Sequence, residues 1–329
     1  MKKHPVVFVG LCLVIIAVIG AVFVLPSIAG NRYWEDAHLQ NAVLDLSKYS
    51  EQIAGGDSDL DEIEAVVHRC NEAAVPVRSE LSPFFEACNR MITDYFRDTY
   101  EIDVSDRLRA LRIMEVTYPE SVSEMVGGSY SGDFPEKLFV NADVLEDMIS
   151  DTEGGELRDA ADTAFSAKLL RTVYIHEVMH YLGFNSDTGF DHLMEAVAEA
   201  LNKEVMLHGN IKYESITGYA SIQGFAAQIM KCDTEFVREV LTGSNPDMGA
   251  YFNSRLGGEP GTNYAEYFDK LIGLIREGDS GDIGRLEYYA QYLTYEYCKA
   301  VNSDARSILA SSKEKAVGMF EIRWFLGIE

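Results

Sequence analysis

A chain of 329 residues, 47% of them hydrophobic and 11% aromatic, has the material for a substantial buried core, which excludes a disordered chain. Its 53 acidic residues outnumber 28 basic ones and leave a formal net charge of -25. Such a surface repels phosphate backbones and anionic headgroups, so nucleic acid is excluded as a partner.

In chain order, Lys2 and Lys3 precede an apolar run over residues 6–29 that contains no charged side chain. Crossing the hydrocarbon core takes roughly 20 residues, whereas the apolar part of a cleavable signal takes about 7–15. The run therefore reads as an uncleaved signal anchor, a single-pass membrane segment. Ser27 and Ala29 also stand at the spacing a signal peptidase accepts, so cleavage after Ala29 and secretion remain the alternative. Both readings keep the lysines in the cytoplasm and place the remaining chain outside. Cys12 lacks the preceding small residue of a lipobox, and no lipid attachment is read there.

Outside the cytoplasm, the even set Cys70, Cys88, Cys232 and Cys298 suggests disulfides. Cys70 with Cys88 and Cys232 with Cys298 would each staple neighbouring helices; four buried thiols are the alternative. Asp57, Asp59 and Asp61 begin like a calcium loop, but Glu62 replaces its glycine and His68 its bidentate glutamate, so a solvated turn is expected.

From Tyr33 to about Thr99 apolar residues recur at three and four, as in Phe84, Phe85, Cys88, Met91, Ile92 and Phe96, which predicts helices. Between about residues 103 and 145 the texture becomes three short β-prone runs, Leu111 to Tyr118, Met125 to Tyr130 and Lys137 to Val144. Gly127 and Gly128 mark the middle run as an edge, or as a place where another backbone approaches. From Gly155 helical patterns continue to the C-terminus, with breaks around Phe184 to Gly189, Gly209, Gly243 to Gly249 and Gly257 to Gly261. The expected fold is α+β and helix-rich, with a small sheet preceding a motif helix. Its expected parts are the anchor (1–30), an N-terminal helical region (31–102), a core (103–210) and a C-terminal helical region (211–329).

The motif is His176-Glu177-Val178-Met179-His180, near the end of a helix that Gly183 can cap. Histidines four apart share one helical face, so both imidazoles can reach one divalent ion. Glu177 points about 100° away around the axis, where it can act on a metal-activated water as general base without occupying a coordination position. Residues 173–175, 178, 179, 181 and 182 carry no charge, as a helix buried beneath a site requires. The plainer alternative is a pair of core histidines with Glu177 as an ion-pair partner. Lys168, Arg171 and Asp187 around the motif argue against an intramembrane protease, and Ser186 stands where a metzincin has its third histidine.

A third ligand is sought downstream, where Asp191 to His208 predicts a helix capped by Asp191, stopped by Gly209 and carrying Glu195 and Glu199 on one face. Here the chain, over about residues 169–205, resembles the gluzincin zinc peptidases, whose second motif reads roughly Asn-Glu-Ala/Gly-x-x-Asp/Glu; Met194 replaces the asparagine. The resemblance implies a zincin-like core, a zinc ion, Glu195 as third ligand and Glu199 as the acid that orients a ligating histidine. Eighteen residues separate His180 from Glu199, a gap familiar in aminopeptidase-type gluzincins, so Glu199 as ligand stays open. Asp191, in the manner of aspzincins, is a third choice lacking that class's pattern. The resemblance also implies an edge strand that binds extended peptide, for which residues 127–130 stand in position, a surface hairpin being the alternative. Tyr219 is a candidate donor to the reaction's oxyanion. The expected activity is zinc-dependent hydrolysis of peptide or protein substrates, and the alternative is a catalytically inactive zincin-fold binding protein tethered to the membrane.

Overall fold

The computed structural model describes residues 58–123, 126–151, 165–184, 191–213, 221–243, 248–256, 264–277, 283–311, 315–317 and 320–321. The expected anchor, residues 6–29, lies outside them; among the described residues no helix is long and apolar enough to cross a membrane.

Helix α1 (Ser58–Glu72) leads into the two-residue strand β1 (Val75–Pro76). Pro76 has no N–H to give, and β1 accordingly lies at an edge of the sheet. Pro83 opens α2 (Ser82–Tyr100), whose C-terminus closes with Glu101 in a left-handed conformation, φ 58°. The three-and-four spacing buries Phe84, Phe85, Cys88, Ile92 and Phe96, as the periodicity predicts. Helix α3 (Ser105–Ala110) then delivers the chain to β2 (Arg112–Val116).

A one-turn helix α4 (Glu120–Ser123), strand β3 (Gly128–Tyr130) and strand β4 (Lys137–Asn141) complete a four-stranded sheet of order β1-β2-β4-β3. β2 and β4 run parallel, Met114 opposite Phe139, and both edges are antiparallel. Central β4 has Leu138, Phe139 and Val140 fully buried, the continuous apolar run of a strand covered on both faces. On one face Met114, Val116, Tyr118, Val122 and Phe139 form a cluster closed by Val66, Val67 and Cys70 of α1. The third β-prone run ends at Asn141, not at Val144: the Asn141 side chain accepts from the Asp143 amide (3.1 Å) and starts α5 (Ala142–Asp151). The sheet gains a fourth strand because β1, too short to show alternation, pairs with β2.

The other face of the sheet receives α6 (Phe165–Tyr181), which packs on β3, β4 and α5. Gly128 permits the approach: a Cβ there would stand 2.8 Å from Val173 Cγ1, 3.0 Å from the Phe139 carbonyl oxygen and 3.3 Å from Glu177 Cγ. The expected edge position of β3 holds, and what α6 brings against its backbone is the side chains of Val173 and Glu177. The hydroxyl of Tyr118 bonds Asn71 (3.0 Å) and Ser129 (3.1 Å), tying β3 to α1. Arg107 of α3 donates to the carbonyls of Tyr181 and Leu241, 3.1 Å each, and so anchors the C-terminal end of α6.

Helix α7 (Asp191–His208) is buried among α2, α6, α8 (Gln223–Cys232) and, further along, α11 (Tyr264–Glu277). Ala196, Ala198 and Ala200, all buried, let its neighbours come close. Its first turn is capped from outside: Asp269 of α11 accepts the Leu193 amide at 2.7 Å, a role expected of Asp191. At its other end the left-handed residue is Asn210 (φ 57°), one beyond the expected Gly209. Its amide bonds Leu207 O and the Ile211 amide bonds Met206 O, closing the helix.

The C-terminal part continues with α9 (Thr234–Thr242), α10 (Met248–Leu256), α11, α12 (Ile283–Val301) and α13 (Ala305–Ser311). It does not stay helical throughout, because β5 (Lys315–Val317) and β6 (Phe320–Glu321) pair antiparallel. Contacts join the parts expected as separate regions: β1 pairs with β2, and α8 packs on α7. The four described cysteines are free thiols. Cys70 belongs to the cluster under the sheet while Cys88, on α2, lies against Arg171, so these two sit in different surroundings.

Replacing Gly128 with alanine is expected to push β3 off α6 at a cost of about 1–3 kcal/mol, seen as a lower thermal midpoint of the purified protein.

Candidate metal centre

Helix α6 contributes His176 and His180, one turn apart on the same face, and α7 lies across them. Asn202 of α7 donates to the Thr172 carbonyl of α6 at 3.1 Å, a buried cross-link that sets the register between the helices. In that register Glu195 reaches the imidazoles. His176 Nε2 is 3.0 Å from His180 Nε2 and 3.1 Å from Glu195 Oε2, and His180 Nε2 is 3.5 Å from the same oxygen. Three donor atoms thus converge. Among the described residues this is the one group of His, Cys, Asp and Glu arranged to hold a metal ion.

The opposite nitrogen of each ring is committed elsewhere. His176 Nδ1 lies 3.1 Å from Glu199 Oε2, and since a carboxylate only accepts, the imidazole donates. Glu199 is itself fully buried, with Asn202 donating to Oε2 at 3.2 Å and the Tyr213 hydroxyl donating to Oε1. His180 Nδ1 donates to the Phe184 carbonyl. That carbonyl is brought back by the turn that ends α6: Gly183, at φ 118°, donates to His180 O, and the Phe184 amide donates to Met179 O. The cap expected of Gly183 therefore also orients a histidine. Both rings present Nε2 to Glu195.

These donors fit a zinc ion. Bonds of about 2.0–2.1 Å in tetrahedral array require donor atoms about 3.3 Å apart, and the three separations bracket that value. Two imidazole nitrogens and one carboxylate oxygen are donor types that zinc accepts, and they leave a fourth tetrahedral position to a non-protein ligand. Glu195 is the third of the converging donors, and Glu199 stands behind His176, at its Nδ1.

Electrostatics follow from the burial. Burial opposes charge on His176, but hydrogen bonds to Glu195 and Glu199 and the charges of Glu177 and Glu195 outweigh it and raise its pKa to about 10. Burial likewise disfavours ionised Glu195, yet the two imidazoles hold its carboxyl well below the usual carboxylate range. Glu177, half-buried, stands outside the trio. Burial raises its pKa, opposed by the charges of His180 and His176 and by a hydrogen bond from the Tyr130 backbone N–H. An edge-strand amide thus holds the carboxylate that the motif designates as base.

Tyr219 lies outside the described residues, and Asp191 is exposed at the first position of α7. Tyr213, Asn202 and the Phe184 carbonyl were not anticipated as parts of the site. Only the last left a local signal, Gly183. Comparison with known protein families, curated proteins and solved structures found no match for this chain.

Substituting Glu199 with glutamine keeps the shape but replaces one accepting oxygen by a donor facing His176 or Tyr213. Divalent-metal affinity is expected to fall about 10- to 100-fold, measured by competition with a chromogenic chelator.

Proposed function

We propose that the protein is a zinc-dependent peptidase of gluzincin type. The observation that carries the reading is the convergence of His176 Nε2, His180 Nε2 and Glu195 Oε2, with a carboxylate, Glu177, left out of that trio beside it. A site built only for structure closes around its metal with four protein ligands and has no use for a base at its side.

His176, His180 and Glu195 would hold the ion, while Glu199 and the Phe184 carbonyl fix the rings. Bound there, zinc would supply Lewis-acid polarisation of a carbonyl and activation of a water for attack. Glu177 accepts the proton of the attacking water and delivers it to the leaving amine. Burial raises its pKa above the ordinary carboxylate value, the direction that makes a carboxylate a stronger proton acceptor. The Tyr130 N–H keeps the carboxylate aimed.

β3 bears on the substrate class. It is bonded to β4 on one side and is the sheet's edge on the other, next to the motif helix, so an extended peptide can add as a further strand. Residues 6–29 fit a membrane tether that places this chemistry outside the cytoplasm.

Glu177→Gln is expected to retain one zinc per chain and to lose at least about 100-fold in turnover of a peptide library. His176→Ala should lose both metal and activity, read by elemental analysis of the full-length protein. Undiminished turnover by Glu177→Gln would overturn the mechanism.

Metal loading should also release protons. Metal-free His176 stays protonated below its raised pKa of about 10, and a ligating imidazole must be neutral. Apparent zinc affinity is therefore expected to drop as pH falls from 9 towards 6, about tenfold per unit for each proton displaced. Calorimetry in two buffers of different ionisation enthalpy counts the protons.

A further inference from the structure

Helices α8 and α12 meet along a polar seam that shares no side chain with the His176, His180 and Glu195 group. Gln228 and Gln291 exchange side-chain amide hydrogen bonds of 2.8 and 3.4 Å across it. Tyr297 donates to Asp233 at 2.6 Å, and Asn302 donates to the Cys232 carbonyl at 3.3 Å. One turn beyond Gln228, Cys232 faces Cys298. Cys298 Sγ lies 3.6 Å from the Gln228 carbonyl oxygen, and its thiol is within hydrogen-bonding reach of the Cys232 sulfur. Cys232 is 6% exposed and Cys298 fully buried, so the pair is enclosed with its outer member at the end of α8.

We propose that Cys232 and Cys298 are a dithiol pair that closes into a disulfide by exchange with a small-molecule disulfide. The Cys232 thiolate attacks one sulfur of the oxidant, its S–S bond breaks, and one thiolate leaves. The Cys298 thiolate then attacks Cys232 in the mixed disulfide and displaces the second. Two protein thiols are oxidised to one disulfide, the oxidant is reduced to two thiols, and these take up the two protons.

The order of attack follows from the surroundings. The hydrogen bond from Cys298, against the effect of burial, holds the Cys232 thiol below its ordinary range. The same bond, and then burial, push Cys298 up. Cys232 is thus the better thiolate and the more exposed residue of the two. The other described cysteines are placed differently: Cys70 packs under the sheet, and burial pushes the Cys88 thiol up to about 11 beside Arg171. The resulting bond would join α8, which packs on the Glu195 helix, to α12 across the intervening α9, α10 and α11.

The test uses the full-length protein, incubated with oxidised glutathione, alkylated in denaturant without reductant, digested and mapped by mass spectrometry. A peptide pair linking Cys232 and Cys298, lighter by two hydrogens, is expected, with Cys70 and Cys88 alkylated. The melting temperature should rise by roughly 5 °C and return on reduction. Cys298→Ser should trap glutathione on Cys232, and Cys232→Ser should leave Cys298 unmodified. If either variant fails to fold, the peptide map of the unaltered protein decides. Full alkylation of Cys232 and Cys298 after prolonged oxidation, or a bridge from either to another cysteine, would overturn the proposal.

Discussion

The site depends on how α6 and α7 lie against each other. A single buried amide, Asn202, holds the Thr172 carbonyl of one helix and the Glu199 carboxylate of its own, and Glu199 in turn holds His176. A buried polar group that loses its partner costs about 1–3 kcal/mol, so a slide of either helix that left these bonds unmade would be resisted at several points together. One turn of α7 then carries two different tasks. Glu199 faces inward and aligns an imidazole, while Glu195, with 27% of its side chain exposed, faces the Nε2 atoms.

Around that apposition the fold supplies three supports of different physical kind. Steric room comes from Gly128, which lets β3 lie against Val173 and offer the Tyr130 N–H to Glu177. Backbone geometry comes from Gly183, whose left-handed turn closes α6 and aims the Phe184 carbonyl at His180. Charge comes from two buried imidazoles and three carboxylates, the buried Glu199 and the half-buried Glu177 and Glu195, an assembly that raises the histidine pKa values and lowers that of Glu195. An excess of carboxylates over imidazoles makes the place favourable for a divalent cation.

Parts of this were legible residue by residue. The spacing of His176 and His180, the position of Glu177 and the cap at Gly183 all lie within two turns of one helix, where chain geometry alone decides which groups share a face. The helical stripe of α2 and the edge character of β3 were legible for the same reason. Asp269 as the cap of α7 was not, because it lies 76 residues beyond Leu193 on another helix and no local pattern points to it. Nor was β1, two residues that become a strand only by pairing with β2. Tyr213 follows α7 in a stretch without periodicity, and nothing local marks its hydroxyl as a partner of Glu199.

The choice between Glu195 and Glu199 shows where the division falls. Both stand on one face of α7, four residues apart, and the chain alone leaves either free to meet the histidines. Which one faces the converging Nε2 atoms and which the Nδ1 of His176 depends on the rotation and slide of α7 against α6, set by the Asn202 cross-link, the buried alanines and the helices packed behind. Sequence by itself determined the two imidazoles, the neighbouring carboxylate and the turn after them, because those relations are fixed by helical pitch. Tertiary structure decided the third donor and the partners of each ring, because contacts between distant segments arise only when whole apolar faces are buried together.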